Sequence, residues 1–446
     1  MREGSLEAPV RHPIPWRDEA FWDAVKLDEE LRRVFDICHG CRRCFNLCDS
    51  FPRLFDLIDD SETGELDSVA SAGFKPVVDA CTLCDMCFMT KCPYVPPHDF
   101  NLDFPHLMLR ARALAHRKGE VGRVEGALAQ TDRNGRMAGR VAGLANWASA
   151  RGNSLTRPLI GALAGIHPDA ELPRFANRTL VGRAAEAPEV DRLAPAFGRK
   201  AVIYATCFAN YNNPEIGAAA RAVLARNGVE TAVVHPSCCG MPQLEQGDIA
   251  AVAESAAVVA GELGRWIDDG YDVIALVPSC ALMLKFEWPL ILAQDSAVAK
   301  LARSTFDISE YIVDIARKEG LADGLEALEG GVAIHLACHA RAQNMGPKAV
   351  EMMRLVPDVD VAVIERCSGH GGAWGIRKDN FDVAIKVGRP AARQAIESGK
   401  RYIASECPLA TLHIAQGMEL LAGEQPAPEA VAHPIVLFAR AYGLIE

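Results

Sequence analysis

No stretch of this 446-residue sequence approaches the roughly 18 uninterrupted apolar residues of a membrane-spanning helix, although half of its residues are hydrophobic. The opening segment, MREGSLEAPVRHPIPWRDEAFWD, mixes charge with proline and has no apolar run of the signal-peptide kind, so no secretory signal is expected. Positive charge is in deficit. With 47 Lys+Arg against 58 Asp+Glu, the formal charge of −11 argues against nucleic acid as a partner. No G-x-G-x-x-G follows a strand-like run and no G-x4-G-K-[ST] phosphate loop occurs, which argues against a dinucleotide flavin or nucleotide held by this chain alone.

Cysteine, by contrast, is plentiful at 15 residues. That is more than packing requires in a reducing compartment, yet far below the density of a small disulfide scaffold. Metal or redox chemistry remains, in a soluble, cytoplasmic protein whose thiols stay free. The chain is too apolar for disorder and long enough for about three domains.

Eight cysteines lie between residues 38 and 92 and seven between 207 and 407, with none from 93 to 206. From Ala201 short β-rich runs alternate with helical stretches: AVIYAT, PEIGAAARAVLARNG, TAVVHP, GDIAAVAESAAVVAGELGRWIDDG, YDVIALVP. A second round follows with GVAIHLA, MGPKAVEMMRLV, VDVAVIER, DNFDVAIKVGRPAARQAIESG and RYIASE. The alternation predicts βαβ units around parallel sheets. Cys207, Cys238 and Cys280 return as Cys338, Cys367 and Cys407 at offsets of 131, 129 and 127, each at the end of a predicted strand. Ligands of open parallel sheets bind outside the carboxyl ends of strands, so each set of three should converge on one edge.

Residues 105–200 read as a helical, irregular connector. Its stretch from Arg133 to Pro168 carries Arg133, Arg136, Arg140, Arg151 and Arg157 and no acid beyond Arg133. A solvated face, or packing on acidic surface, accounts for this most simply. Contact with a membrane surface or a partner is the alternative.

The early cysteines form two runs, Cys38-x2-Cys41-x2-Cys44-x3-Cys48 and Cys81-x2-Cys84-x2-Cys87-x4-Cys92-Pro93. These match [4Fe–4S] binding runs, in which three cysteines wrap one cluster and the fourth serves the other. The expected ligand sets are therefore Cys38, Cys41, Cys44 and Cys92 for one cubane, and Cys81, Cys84, Cys87 and Cys48 for the other. Zinc competes, since paired C-x2-C also builds tetrahedral zinc sites, but zinc does not require a third cysteine at the same spacing. Asp49 stands where the simplest ferredoxin run has proline, and the Cys87–Cys92 interval is one residue longer. The long spacer between the runs resembles the α-helical ferredoxin domain of respiratory iron–sulfur subunits.

The later cysteines sit in the words ATCFANYNNP, HPSCCGMP, VPSCALM, HLACH and RCSGHGGAWG. With the upstream runs and the segments FNLDFPHLMLRARA and LPRFANRT, these resemble the CCG domains of heterodisulfide reductases and of iron–sulfur subunits of flavin-linked hydroxyacid and glycerol-3-phosphate dehydrogenases, notably the anaerobic C-subunit type. The resemblance runs from about residue 35 to 420. It implies a motif of one cysteine, an adjacent pair, and C-x-x-C. Cys207, Cys238, Cys239 and Cys280 match in the first unit, where Met283 takes the last position. In the second unit Cys338, Cys367 and Cys407 match, while Ser368 and Ala410 replace two cysteines.

Four thiolates suffice for one [4Fe–4S] cluster in the first unit; three in the second leave an iron short, to be met by His339 or a substrate, or leave a degenerate site that binds nothing or zinc. His235 and His335 read as core histidines within apolar strands, and Trp374 as core. His339 and His370 are the ligand or proton-donor candidates. Gly369, Gly371 and Gly372 either bring backbone N–H groups to sulfur or make a strand-to-helix turn.

The expected protein is an α+β multidomain chain: a ferredoxin-type α-helical domain with two [4Fe–4S] sites over 1–104, the connector over 105–200, and two α/β CCG units over 201–325 and 326–446. The resemblance implies an electron-transfer subunit, not autonomous as an oxidoreductase, that relays electrons between a flavoprotein dehydrogenase or other redox protein and a quinone or other acceptor. A further iron–sulfur cluster or zinc would sit in the CCG region, and the inner face of the membrane is a possible peripheral contact. Two alternatives are a heterodisulfide-reductase-like catalytic subunit and a zinc-stiffened assembly scaffold.

Overall fold

A computed structural model describes residues 8–423 and 427–445. The first seven residues, on which the expectation about a secretory signal partly rests, lie outside that range.

Before Lys200 the described residues form helices and irregular segments, with no strand. The helix Ala24–Cys41 begins where the Asp23 carboxylate accepts the N–H groups of Val25 and Lys26, and buries Leu27, Leu31, Val34 and Phe35 at helical spacing. It stops at Arg42, whose left-handed φ of 52° turns its N–H back to the Cys38 carbonyl, so the first cysteines lie on the closing turn. The helix Ser50–Asp59 follows Cys48 and buries Phe51, Leu54, Phe55 and Ile58. Phe104 opens the helix Phe104–Arg117 and packs its ring on Phe51, 4.7 Å between centroids.

The remainder holds two four-stranded parallel sheets. Strands β1 (Lys200–Tyr204), β2 (Glu230–Val234), β3 (Asp272–Ala275) and β4 (Thr305–Asp307) align in the order β2-β1-β3-β4. Strands β5 (Val332–His335), β6 (Val361–Ile364), β7 (Tyr402–Ser405) and β8 (Glu429–Val431) repeat that order as β6-β5-β7-β8. Register repeats as well: Ala201 faces Asp272 in the first sheet as Val332 faces Tyr402 in the second. The central strands β3, β5 and β7 are buried almost throughout because helices cover both faces. The short edge strands β4 and β8 gave no signal in the sequence, since three residues are too few to show a period.

One continuous core joins Leu107 and Met108 of the helical region to Met241 and Leu244 of the first α/β unit. A second joins Ile216 and Val223 of the first unit to Met352, Met353 and Phe438 of the second. The N-terminal segment is bolted on through Arg11, whose guanidinium donates to Asp85 (2.8 Å), Asp103 (2.8 Å) and Glu287 (3.0 Å).

Candidate metal centres

All fifteen cysteines are free thiols. In the helical region they fall into two groups that cross the sequence order. Burial, followed by the neighbouring sulfurs of Cys92, Cys44 and Cys41, pushes the Cys38 thiol well up, and burial with Cys92 and Cys41 takes Cys44 up to about 12. Cys48 is raised by burial and then by Cys84 and Cys81; Cys87 by burial and then by Cys84, Cys81, Cys48 and Cys44. Cys92 therefore sits with the first run and Cys48 with the second. The second run bends sharply about Cys84, because Leu83 (φ 48°) and Asp85 (φ 62°) both hold left-handed backbone, uncommon for such residues and typical of loops whose surroundings over-determine them. Arg112 pins this loop by donating to the carbonyls of Val78 (2.7 Å) and Cys81.

In the first α/β unit Cys207, Cys238, Cys239 and Cys280 gather beyond the carboxyl ends of β1, β2 and β3. The Cys207 and Cys238 sulfurs are 3.8 Å apart. Cys238 and Cys280 stand beside Cys239 and, with burial, push its thiol well up. Thr206, at a left-handed φ of 53°, makes the strand-to-helix turn and caps the helix Cys207–Tyr211 with its hydroxyl. Cys238 is the electronegative focus of the group. Its sulfur donates to Cys207 and accepts from the Thr131 hydroxyl at 3.3 Å and the Gly240 N–H at 3.5 Å; the neighbouring Cys207 and Cys239 thiols and these donors hold it below the usual range. Asp132 accepts the Cys238 N–H at 2.7 Å and meets His235 Nε2 at 2.7 Å. Met283 is fully buried in the apolar core.

In the second unit Cys338, Cys367 and Cys407 occupy the matching positions after β5, β6 and β7. Burial and then Cys84, Cys367 and Cys407 raise the Cys338 thiol, and burial and then Cys367 take Cys84 up to about 12, whereas Cys407 is raised by burial and by Cys280. Cys367 is exposed as a residue, yet its sulfur accepts the Gly369 N–H at 3.4 Å and lies close enough to affect Cys338 and Cys84. The glycines pack the loop. A Cβ on Gly369 (φ 83°) would stand 2.1 Å from the Ala384 carbonyl, and one on Gly371 (φ 50°) would stand 2.8 Å from Thr82 Cγ2.

His370 Nδ1 accepts the Gly372 N–H at 2.9 Å, which leaves the ring proton on Nε2, 3.6 Å from Cys407 Sγ. Burial, with His413, His339 and His335 nearby, pushes His370 down to about 3 and keeps it neutral. It acts on Cys407 as an N–H donor. His339, expected as a candidate ligand, has both nitrogens committed, Nδ1 to Ser279 Oγ at 2.7 Å and Nε2 to the Leu83 carbonyl at 3.2 Å. Ser368 and Ala410 are buried, and Ala410 packs on Cys407 with its backbone N–H turned to that sulfur. His335 is a core histidine, bonded to Ser405 Oγ (2.8 Å) and the Arg366 carbonyl (2.9 Å), and pushed by burial down to about 4. Trp374 is only half-buried, because the GHGG turn carries it to the rim of the loop.

Among the described residues, no three Cys, His, Asp or Glu side chains meet in the tight set that a single metal ion takes. Thr131, Asp132 and Leu83 were missed in the sequence. The first two lie in the connector, outside any cysteine spacing, and Leu83 acts through its carbonyl, which any residue possesses.

A sheet edge with one cysteine, an adjacent pair or its remnant, and a third cysteine after successive strands defines a class. Residues 201–285 and 332–415 each match the family profile of the Cysteine-rich (CCG) domain, so the chain carries two CCG domains. It is 26% identical over 238 residues to the C-subunit of the anaerobic glycerol-3-phosphate dehydrogenase of Escherichia coli K12, a stretch covering 53% of this chain and 57% of the relative. It is 24% identical over 228 residues to the B-subunit of the fumarate reductase (CoM/CoB) of Methanothermobacter marburgensis, covering 50% and 43%. It is 24% identical over 213 residues to lactate utilization protein A of Bacillus pumilus, covering 46% and 85%. The chain thus spans little more than half the length of the first of these relatives.

Proposed function

We propose that the chain is an iron–sulfur electron-transfer subunit of a dehydrogenase or reductase complex. The observation that carries this is the crossed grouping of the early thiols, with Cys92 beside Cys38, Cys41 and Cys44, and Cys48 beside Cys81, Cys84 and Cys87. Buried thiols without a compensating cation resist ionisation, and a metal cluster supplies that cation, so the donor sets fit [4Fe–4S] groups. On this reading residues 1–104 are a ferredoxin-type helical domain, 105–200 a connector, and 201–325 and 326–446 the two CCG units. Such clusters take up and release single electrons. The protein's part is to hold the sulfurs, exclude water and donate hydrogen bonds from Thr131, Gly240, Gly369 and His370.

In the first unit Cys207, Cys238, Cys239 and Cys280 would hold a further cluster. A second reading there is tetrahedral zinc, with Zn–S near 2.3 Å, for which the Cys207–Cys238 contact of 3.8 Å supplies one sulfur pair at the right separation. The partner is a flavoprotein dehydrogenase acting on a hydroxyacid or glycerol 3-phosphate, in keeping with the names of the relatives, and the acceptor a quinone. Peripheral attachment to the inner face of the membrane is supported by the connector, which exposes Leu144, Trp147, Leu155, Leu159 and Leu163 beside Arg133, Arg136 and Arg140. Among the described residues no helix is long and apolar enough to cross a membrane.

Anaerobic purification with metal and sulfide counting and EPR during a redox titration tests the proposal. About twelve or more iron per chain is expected; about eight with zinc would select the zinc reading of the CCG region. Fewer than two cubane signals would overturn the central assignment.

A further inference from the structure

We infer that the face around Cys38, Cys41, Cys44 and Cys92 is the docking port for an acidic flavoprotein, with Arg43, Lys91 and Phe45 as its contacts. The inference rests on the iron–sulfur reading above and names the surface on which the redox partner sits.

Exposure sets this group of thiols apart. All four of its cysteines are only half-buried, whereas the group of Cys81, Cys84, Cys87 and Cys48 encloses Cys81 and Cys87, and the first CCG unit encloses Cys238, Cys239 and Cys280. The exposed Cys367 belongs to a unit of three thiols, one short of a cubane. A local turn brings the rim forward. The Phe45 N–H closes on the Arg42 carbonyl at 3.1 Å, just after Arg42 ends its helix in left-handed backbone, so Arg43, Cys44 and Phe45 follow one another round a surface turn. Phe45 is 56% exposed, and its ring lies parallel to that of buried Phe55, 6.3 Å between centroids. Stacking holds the ring in place while more than half of it stays open to a partner.

The rim is positive in a chain of net charge −11. Arg43 and Lys91 are exposed, and both lie within electrostatic reach of the Cys44 sulfur. Among the described residues neither has a carboxylate within ion-pair distance, whereas the adjacent Arg42 is matched by Asp59, which it meets at 2.9 Å. Two unmatched cations beside an open aromatic ring can steer an acidic protein to this face and then hold it, since arginine and aromatic side chains carry much of the energy where interfaces exclude water. On docking, one electron passes from the partner's reduced flavin, which is oxidised by one electron and gives its proton to water, to the cluster, which is reduced. No bond forms between the proteins. Inward, Cys87 lies within electrostatic reach of Cys44, so the second group of thiols is next in line.

The test uses the full chain, purified anaerobically with its clusters, and follows its reduction in stopped flow by flavodoxin hydroquinone, a small acidic flavoprotein, as the probe. Net repulsion between two acidic proteins would make added salt speed the reaction; a positive port should make the second-order rate fall by about tenfold or more as salt rises. Arg43→Glu/Lys91→Glu should slow the low-salt rate by about tenfold or more and remove that dependence, with the milder Arg43→Gln/Lys91→Gln in between. Phe45→Ala should slow the reaction by about fivefold at every salt concentration. Reduction by the methyl viologen radical, a small cation that needs no docking, should not slow in any of these variants. Wild-type reduction that salt leaves unchanged or speeds, a charge-reversal variant as fast as the wild type, or slowing shared by both reductants would each overturn the port. Slowing by flavodoxin in Leu155→Asp/Leu159→Asp/Leu163→Asp would overturn it too, by moving docking to the connector. Fewer than two cubane signals in the wild type would instead overturn the iron–sulfur reading on which it rests.

Discussion

The Thr131 hydroxyl donates to the Cys238 sulfur at 3.3 Å, across 107 positions of sequence, and Asp132 beside it accepts the Cys238 N–H. The connector is therefore part of the first CCG site. Removing the donor in Thr131→Val should cost about 1 kcal/mol of stability and lower the potential of the first-unit signal, because hydrogen bonds to sulfur stabilise the more negative, reduced state. A redox titration that leaves that potential unmoved would show the contact to be structural only.

Cys48→Ser tests the crossing of the first two sites. The variant should perturb the signal of the Cys81, Cys84 and Cys87 group while the Cys38, Cys41, Cys44 and Cys92 signal stays intact, as compared by EPR line shape. Damage confined to the latter would overturn the assignment.

Arg11 holds three carboxylates, of which Asp85 and Glu287 are almost wholly buried. Arg11→Met takes the cation from buried Asp85 and leaves Asp103 and Glu287 with His106 alone, and should destabilise the chain by about 3 kcal/mol in denaturant titration. Arg11→Met/Glu287→Gln should recover part of the loss, since one of the stranded charges is then gone.

His433 caps the helix Pro434–Ala441 by accepting the Ile435 N–H at 3.1 Å, and is fully buried, with Nε2 unpaired. Burial pushes it down to about 3, well below the roughly 6.5 of an unfolded histidine. The unfolded chain thus binds the proton first. The stability held by the neutral ring is complete above about pH 6.5 and falls, by about 1.4 kcal/mol per pH unit, as pH drops from there toward 3. His433→Asn keeps a capping acceptor without the titration and should flatten the acid limb of the stability profile by about one proton. An unchanged slope would show that other groups set it.

The exposed connector residues give a prediction about surfaces. Leu155→Asp/Leu159→Asp/Leu163→Asp should weaken co-sedimentation with anionic liposomes without altering metal content, and added salt should weaken the wild type through Arg133, Arg136 and Arg140. Salt-insensitive binding that is equal in the variant would assign this face to something other than lipid.

Much of the site was legible because cysteine spacing is a local property. The offsets between Cys207, Cys238, Cys280 and Cys338, Cys367, Cys407 announced a repeat, and the two sheets repeat strand order and register. His335 followed from its apolar strand, and its two hydrogen bonds agree. His339 did not: adjacency to Cys338 marked it as a ligand candidate, whereas the fold spends both ring nitrogens joining Leu83 to Ser279. Trp374 was assigned to the core on composition alone, and the glycine turn before it left it half-buried.

By itself, then, the sequence determined which residues are thiols, how they are spaced and at which strand ends they emerge, because strand and helix periodicities are short-range. Tertiary structure alone decided which thiol groups are neighbours, that Thr131 and Asp132 belong to Cys238, and that His370 rather than His339 turns toward a sulfur. Those facts depend on how separately folded loops are pressed together by shared apolar cores, and no interval along the chain encodes that distance.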